Sequence, residues 1–166
     1  MGATLRPADA GDVEHIKWAL YHALAWNAEQ EGLLRQVTLE HPEVARYHRE
    51  WGRRGDGGVI ASVNDNVVGV AFFRLFTADD HGHGFVDDKT PEIAIAVHPD
   101  WRGRGLGTRL MNELVTVART AEFTQLSLSV DADNPARRLY ERLGYRELTV
   151  DDSGVRMLYA IDRVAA

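Results

Sequence analysis

Apolar and polar positions along this chain repeat with a period that switches between two and about 3.6, the alternation expected of strands and helices built around one sheet. Ala3 to Arg6 reads as a short opening strand, followed by a helix capped near Asp9 or Asp12. In that helix Trp18, His22 and Trp26 share one stripe at four-residue spacing, which suits either core or the wall of a pocket. A second helix is expected from about Pro42 to Arg53, stopped by the turn Gly55-Asp56-Gly57-Gly58. Val59 to Val63 and Val67 to Phe76 read as strands joined in a hairpin through Asn64-Asp65-Asn66. Thr77 to Thr90 is a loop rich in Asp, His and Gly. Ile93 to Val97 is apolar on both faces, as a central strand is.

Leu106, Leu110, Leu114 and Val117 then trace one face of a helix, and Leu126, Leu128 and Val130 alternate with polar neighbours as a strand does. Asn134 and Pro135 open another helix as cap and first turn, and Gly144 closes it. Two last strands, about Tyr145 to Val150 and Val155 to Ile161, meet at Asp151-Asp152-Ser153-Gly154. The pattern predicts an α+β fold.

The chain of 166 residues suits a single domain over 1–166, with 45% hydrophobic and 27% charged residues, an ordinary globular balance. A net charge of −6 argues against nucleic acid as a partner and agrees with a cationic ligand such as an amine. Without cysteine there is no disulfide, no thiolate metal site and no cysteine nucleophile, so an acyl transfer here cannot pass through an enzyme thioester. Polar residues Arg6, Asp9 and Asp12 come early, no apolar signal region precedes them, and no apolar run has membrane-spanning length. The expectation is a cytoplasmic protein with no membrane partner. His81, His83 and His98 lack a third ligand at diagnostic spacing, so no metal is expected.

The densest chemistry lies in Val97-His98-Pro99-Asp100-Trp101-Arg102-Gly103-Arg104-Gly105-Leu106-Gly107. A strand, a glycine turn and a helix N-terminus present free backbone N–H groups and the positive end of a helix dipole at one spot. Arg102 and Arg104, interleaved with the glycines, favour an anion such as a pyrophosphate over a bare tight turn. A Walker loop needs Lys and then Ser or Thr after its last glycine, whereas Thr108 and Arg109 follow Gly107. A dinucleotide fingerprint lacks its third glycine, although Asp131 after the next strand keeps that reading open.

Arg102-x-x-Gly105-x-Gly107 after Val97-x-Pro99 resembles the acyl-CoA signature of the GNAT superfamily of N-acetyltransferases. Asn134, Ala136, Leu139-Tyr140-Glu141 and Leu143-Gly144-Tyr145 resemble that family's second signature, with a strand between the two as the family has it. Trp101 stands where the family usually has Tyr. The resemblance implies one GNAT-like domain, with a mixed, mostly antiparallel twisted sheet of about seven strands and about four flanking helices.

It further implies direct transfer of an acetyl group from acetyl-CoA to an amine through a ternary complex. A small-molecule amine is favoured as acceptor, and a protein amine is the second choice. The cofactor-binding set mapped from the family is Ile95, Ala96 and Val97 on the central strand, whose backbone would hold pantetheine. Arg102, Gly103, Arg104, Gly105, Leu106, Gly107 and Thr108 would hold the pyrophosphate, with Asn134 and Tyr140 beyond. Small Ala94 and Ala96 suit a strand that a ligand approaches closely, or equally one packed tightly under a helix.

The transfer needs the amine to lose a proton, a donor for the oxyanion, and a proton for the departing thiolate. A backbone N–H near Val97 is the natural donor, and such a group is typically worth about 3–4 kcal/mol of barrier. Tyr140 matches the family's proton donor, although it also falls on an apolar helix stripe. Glu92, at the head of the central strand, is the candidate general base, directly or through water; otherwise it is a solvated charge, and a base from the His81–Asp88 loop would serve as well. Asn134 binds the cofactor, caps its helix, or both. The acidic residues Asp79, Asp80, Asp87 and Asp88 would either rim the acceptor pocket or form a solvated loop. A non-catalytic acyl-CoA-binding sensor remains the alternative, and the last hairpin leaves a homodimer open.

Overall fold

The hairpin at the centre of the chain shows why the sheet forms where it does. In the computed structural model, which describes residues 2–26 and 39–162, strands β2 (Asp56–Val63) and β3 (Asn66–Arg74) pair antiparallel. They turn through Asn64 and Asp65, at φ 50° and 66°. Asn and Asp tolerate that left-handed geometry, which matches the twist of a two-residue hairpin. Strand β1 (Thr4–Pro7) lies on β2 at the sheet edge, where Pro7 is tolerated. Strand β4 (Glu92–Val97) lies on the other side of β3. With β5 (Gln125–Val130), β6 (Arg146–Asp151) and β7 (Gly154–Ala160), the seven-stranded order is β1-β2-β3-β4-β5-β7-β6.

Every neighbouring pair is antiparallel except β4 and β5, which run parallel and register at a single pair, Glu92 with Ser127. Beyond that point the two strands part. The sheet is therefore held together across its middle only at the end where Glu92 sits.

Period-two alternation sends side chains to two cores. Ala71 and Phe73 of β3, with Val59, Ala61 and Ile93, pack against helix α3 (Leu106–Thr120) through Leu106, Leu110 and Leu114. Val70 and Phe72, with Ile60 and Ala96, pack on the opposite face against helix α1 (Val13–Leu24) through Ile16, Ala19 and Leu20. Each fully buried Val, Leu, Ile or Phe side chain among them contributes about 1.5–3 kcal/mol. Helix α4 (Ala136–Leu143) joins the α3 side, where Tyr140 enters the core and Gly107 meets Leu139.

Two expectations change. The core stripe of α1 is Ile16, Ala19 and Leu20; Trp18, His22 and Trp26 are only partly buried. The second helix, expected from Pro42 to Arg53, is the short α2 (Pro42–Ala45), followed by turns. Glu50 at φ 57° and Gly52 at φ 101° break it. The buried Arg74 takes the carbonyls of Arg46 and Arg49, at 2.8 and 2.7 Å, that further helical turns would have used. Helix α4 keeps its expected ends: the Asn134 side chain accepts the Ala136 N–H at 2.9 Å, and Gly144 closes the helix at φ 102°. Among the described residues no helix is long and apolar enough to cross a membrane.

Candidate active site

Where β4 and β5 part, the sheet opens into a cavity of about 730 Å³. One wall is β4 from Glu92 to Val97, the other the end of β5 with Ser129, Val130 and Asp131, and the glycine turn and α4 close the far side. The His98 N–H donates to Val68 of β3 at 2.8 Å, and the Ser127 N–H donates to Pro91 at 2.9 Å. Alternate residues of a strand face opposite edges, so Ile95 and Val97 turn their backbone groups to the open side. The Val97 carbonyl already accepts Nε of Arg102 at 3.2 Å, which draws the turn back toward the strand.

The turn itself is built by left-handed glycines. Gly103 at φ 72° and Gly105 at φ 79° adopt backbone that a side chain would strain, and both face open space. Gly105 caps α3, so the first N–H groups of that helix point outward. Arg102, Gly103, Gly105, Leu106, Gly107 and Thr108 all line the cavity. Arg104 is not among the lining residues; its guanidinium lies over the Trp101 ring, 5.0 Å from the centroid. Asn134 and Tyr140 line the cavity from the α4 side, and Asn134 caps its helix as well. Burial pushes the Tyr140 hydroxyl above the ordinary phenol range, which keeps its proton in place at neutral pH. Ala96 packs under α1 and also lines the cavity.

Glu92 is not a solvated charge. It is 4% exposed, lies at the head of β4, and lines the cavity. One carboxylate oxygen accepts the Gly84 N–H at 3.1 Å and the other accepts the Tyr47 hydroxyl. Gly84 has to be glycine: a Cβ there would lie 2.8 Å from both the Glu92 side chain and the Leu128 backbone. Burial pushes the Glu92 carboxyl up to about 7, against the opposing pull of the Tyr47 and Gly84 hydrogen bonds and of Arg156 and Arg46. A carboxylate poised there can take a proton near neutral pH.

The remaining wall comes from α1 and the loop before β4. His22 and Trp26 line the cavity, and the Trp26 indole donates to Asp131 at 2.8 Å, so two of the three residues of the aromatic stripe are pocket wall. His83 also lines it, whereas Asp79, Asp80, Asp87 and Asp88 do not and are exposed. Asp80 pairs with Arg46 at 3.6 Å. No group of three metal-ligating side chains comes together among the described residues. His81 instead stacks on Phe85 at 4.3 Å, and His98 accepts the Asp100 N–H. No sequence signal marks Tyr47 or the Trp26–Asp131 contact. Tyr47 sits in a polar stretch whose periodicity says helix, and no spacing links it to Glu92.

The profile of the Acetyltransferase (GNAT) family matches residues 18–145, which span both glycine-turn and α4 motifs. A mycothiol acetyltransferase of Nocardiopsis dassonvillei is 37% identical over 145 residues, 85% of this chain and 42% of that protein. The ribosomal protein bS18 alanine N-acetyltransferase of Salmonella typhimurium is 40% identical over 80 residues, 45% of this chain and 54% of that protein. The chain spans about half the length of the curated relatives it matches. Among solved structures, the PaiA N-acetyltransferase of Thermoplasma acidophilum in complex with coenzyme A superposes with a TM-score of 0.70 at 14% identity, covering 96% of this chain and 99% of that one. With the family profile running over most of the chain, the chain belongs to the acetyltransferase (GNAT) family.

Proposed function

We propose that this protein transfers an acetyl group from acetyl-CoA directly to an amine, with both substrates bound in the one cavity. The observation that carries the reading is Glu92: a buried carboxyl near pKa 7 that opens into the same cleft as a glycine turn built for an anion. The fit to the co-substrate rests on three features of the cleft. Gly103 and Gly105 leave open space at the α3 N-terminus, Ile95 and Val97 present a strand edge that does not pair with β5, and the cavity is lined by apolar residues between them. Arg102, Gly103, Gly105, Gly107 and Thr108 would hold the pyrophosphate, and Ile95, Ala96 and Val97 the pantetheine arm. Arg104 would contribute its backbone, its side chain being engaged with Trp101.

Acetyl-CoA supplies the activated acyl group as a thioester. Glu92 accepts the proton that the ammonium must lose, since a free amine titrates near that of Lys, about 10.4. The new bond forms between the amine nitrogen and the carbonyl carbon, and the carbon–sulfur bond breaks. A β4 N–H near Val97 faces the carbonyl oxygen, and Tyr140, neutral in its buried position, donates a proton to the departing sulfur. Asn134 serves as helix cap and as part of the cofactor wall.

The acceptor is an amine. His22, Trp26, His83 and Asp131 line the cavity along with Glu92, so two carboxylates and an indole await a cationic group. This favours a small amine, with a protein amine second; one relative is named for mycothiol and another for an alanine of a ribosomal protein. Thermal unfolding with acetyl-CoA, desulfo-CoA and NAD, followed by acetyl-CoA turnover on a panel of primary alkylamines, amino sugars and short peptides, tests the reading. At a hundredfold excess over Kd a native-state ligand adds about 2.7 kcal/mol. Stabilisation by both CoA compounds but not NAD, with turnover on at least one amine, is expected. Stabilisation without turnover on any amine would make the chain an acyl-CoA-binding module, and no stabilisation would overturn the site.

A further inference from the structure

Glu92 stands in a row of three charged residues. The registers of β2, β3 and β4 set Asp56 beside Arg74 and Arg74 beside Glu92, on the face that α1 covers. Cross-strand neighbours of opposite charge ordinarily pair, and Arg74 has a carboxylate on each side. It pairs with only one. Its Nε and Nη2 donate to the two Asp56 oxygens at 2.8 Å each, and its Nη1 donates to the Arg46 and Arg49 carbonyls. Arg74 and Asp56 are both buried, and the guanidinium rests 5.9 Å from the Trp51 ring centroid. Among the described residues none of its hydrogen bonds reaches Glu92.

The two carbonyls that Arg74 holds flank Tyr47 in the chain, and Tyr47 is the residue whose hydroxyl reaches Glu92. The Arg46 side chain in turn donates to the His81 carbonyl and pairs with Asp80. It thereby ties down the loop whose Gly84 N–H is the other partner of Glu92. Both hydrogen bonds to the carboxylate thus trace back to Arg74 and its neighbour Arg46. The groups facing Glu92 are Tyr47 and Arg46 from the turns after α2, Arg74 from β3, Ser127 from β5, Arg156 from β7, and the His83–Gly84 segment.

We infer that Tyr47 is a positioning residue for Glu92, and that the Asp56–Arg74 pair holds Tyr47 in place while keeping the Arg74 charge from pairing with Glu92. The consequence for catalysis rests on Glu92 being the base. A free arginine beside Glu92 would hold its carboxyl low and spoil it as a proton acceptor. An arginine spent on Asp56 and two carbonyls can organise the site without doing so.

The test reads Glu92 itself. Protein labelled at its glutamate carboxyl carbons is titrated by NMR, and the Glu92 resonance is assigned by its loss in Glu92→Gln. Tyr47→Phe keeps the ring edge-on to Phe76, at 5.2 Å, and removes only the hydroxyl. Its Glu92 midpoint is expected to rise by about one pH unit, because the lost bond favoured the charged form. Asp56→Asn is expected to lower the midpoint by about one pH unit, since Arg74 then lacks its counter-charge. Opposite movements are what a general loosening of the site would not give. A midpoint unmoved in Tyr47→Phe overturns the positioning role, and that variant decides the matter even if Asp56→Asn does not fold. Both midpoints moving the same way overturns the role given to the Asp56–Arg74 pair. Midpoints that move as expected while the acid limb of turnover on the amine panel stays put would support the positioning role and overturn Glu92 as base.

Discussion

A carboxyl buried to 4% exposure and accepting two hydrogen bonds is costly to keep ionised, and Glu92 bears that cost where a substrate can reach it. The sign of its effect on stability follows. Burial pushes its carboxyl from the ordinary 4.5 up to about 7, so the folded state binds more protons between those values. Stability is full below the lower value and falls as pH rises through the higher one. At 1.36 kcal/mol per unit, the loss amounts to up to about 3 kcal/mol. Glu92→Gln is therefore expected to be more stable than the parent above pH 7 in thermal or denaturant unfolding. The same variant should lose about 10²–10⁴ in kcat/KM, the usual worth of a general base. Tyr140→Phe is expected to lower kcat by about 10² with little change in KM for acetyl-CoA, which steady-state kinetics will show.

At the scale of elements, the glycine turn and α3 divide binding from folding. Gly105→Val places a branched side chain at φ 79°, where left-handed strain is about 1–2 kcal/mol. A turn that shifts to relieve it no longer presents its N–H groups, so the Kd for acetyl-CoA is expected to rise about tenfold or more by calorimetry. Leu110→Ala, fully buried on the same helix, is expected to cost about 2–5 kcal/mol of stability and leave that Kd nearly unchanged. This division also explains what could be read from the sequence. Strands β2 to β5, α3 and α4 were legible because period, caps and turn residues agree locally, as at Asn64-Asp65 and at Asn134 with Gly144. The turns after α2 were not, because their course is set by Arg74, a residue distant in sequence that takes the carbonyls of Arg46 and Arg49. Glu92 could be located by its place at the head of β4. Its burial and its bond to Tyr47 depend on a loop and a turn that no local pattern predicts.

Across the whole molecule, the cleft is a consequence of strand pairing. Strands β4 and β5 join at Glu92 and Ser127 and then diverge, so Glu92 sits at the closed end of the wedge and the glycine turn on its far side. Two cores on opposite faces of the sheet hold that wedge open, α1 on the face of Glu92 and α3 on the other. The measurement that tests this account most directly is the pH dependence of kcat/KM for acetyl transfer, in the parent protein and in Glu92→Gln, using an amine found active in the panel. The account predicts an acid limb near pH 7 in the parent, and a slow profile lacking that limb in the variant. A variant that retains both the rate and the limb would contradict Glu92 as the base.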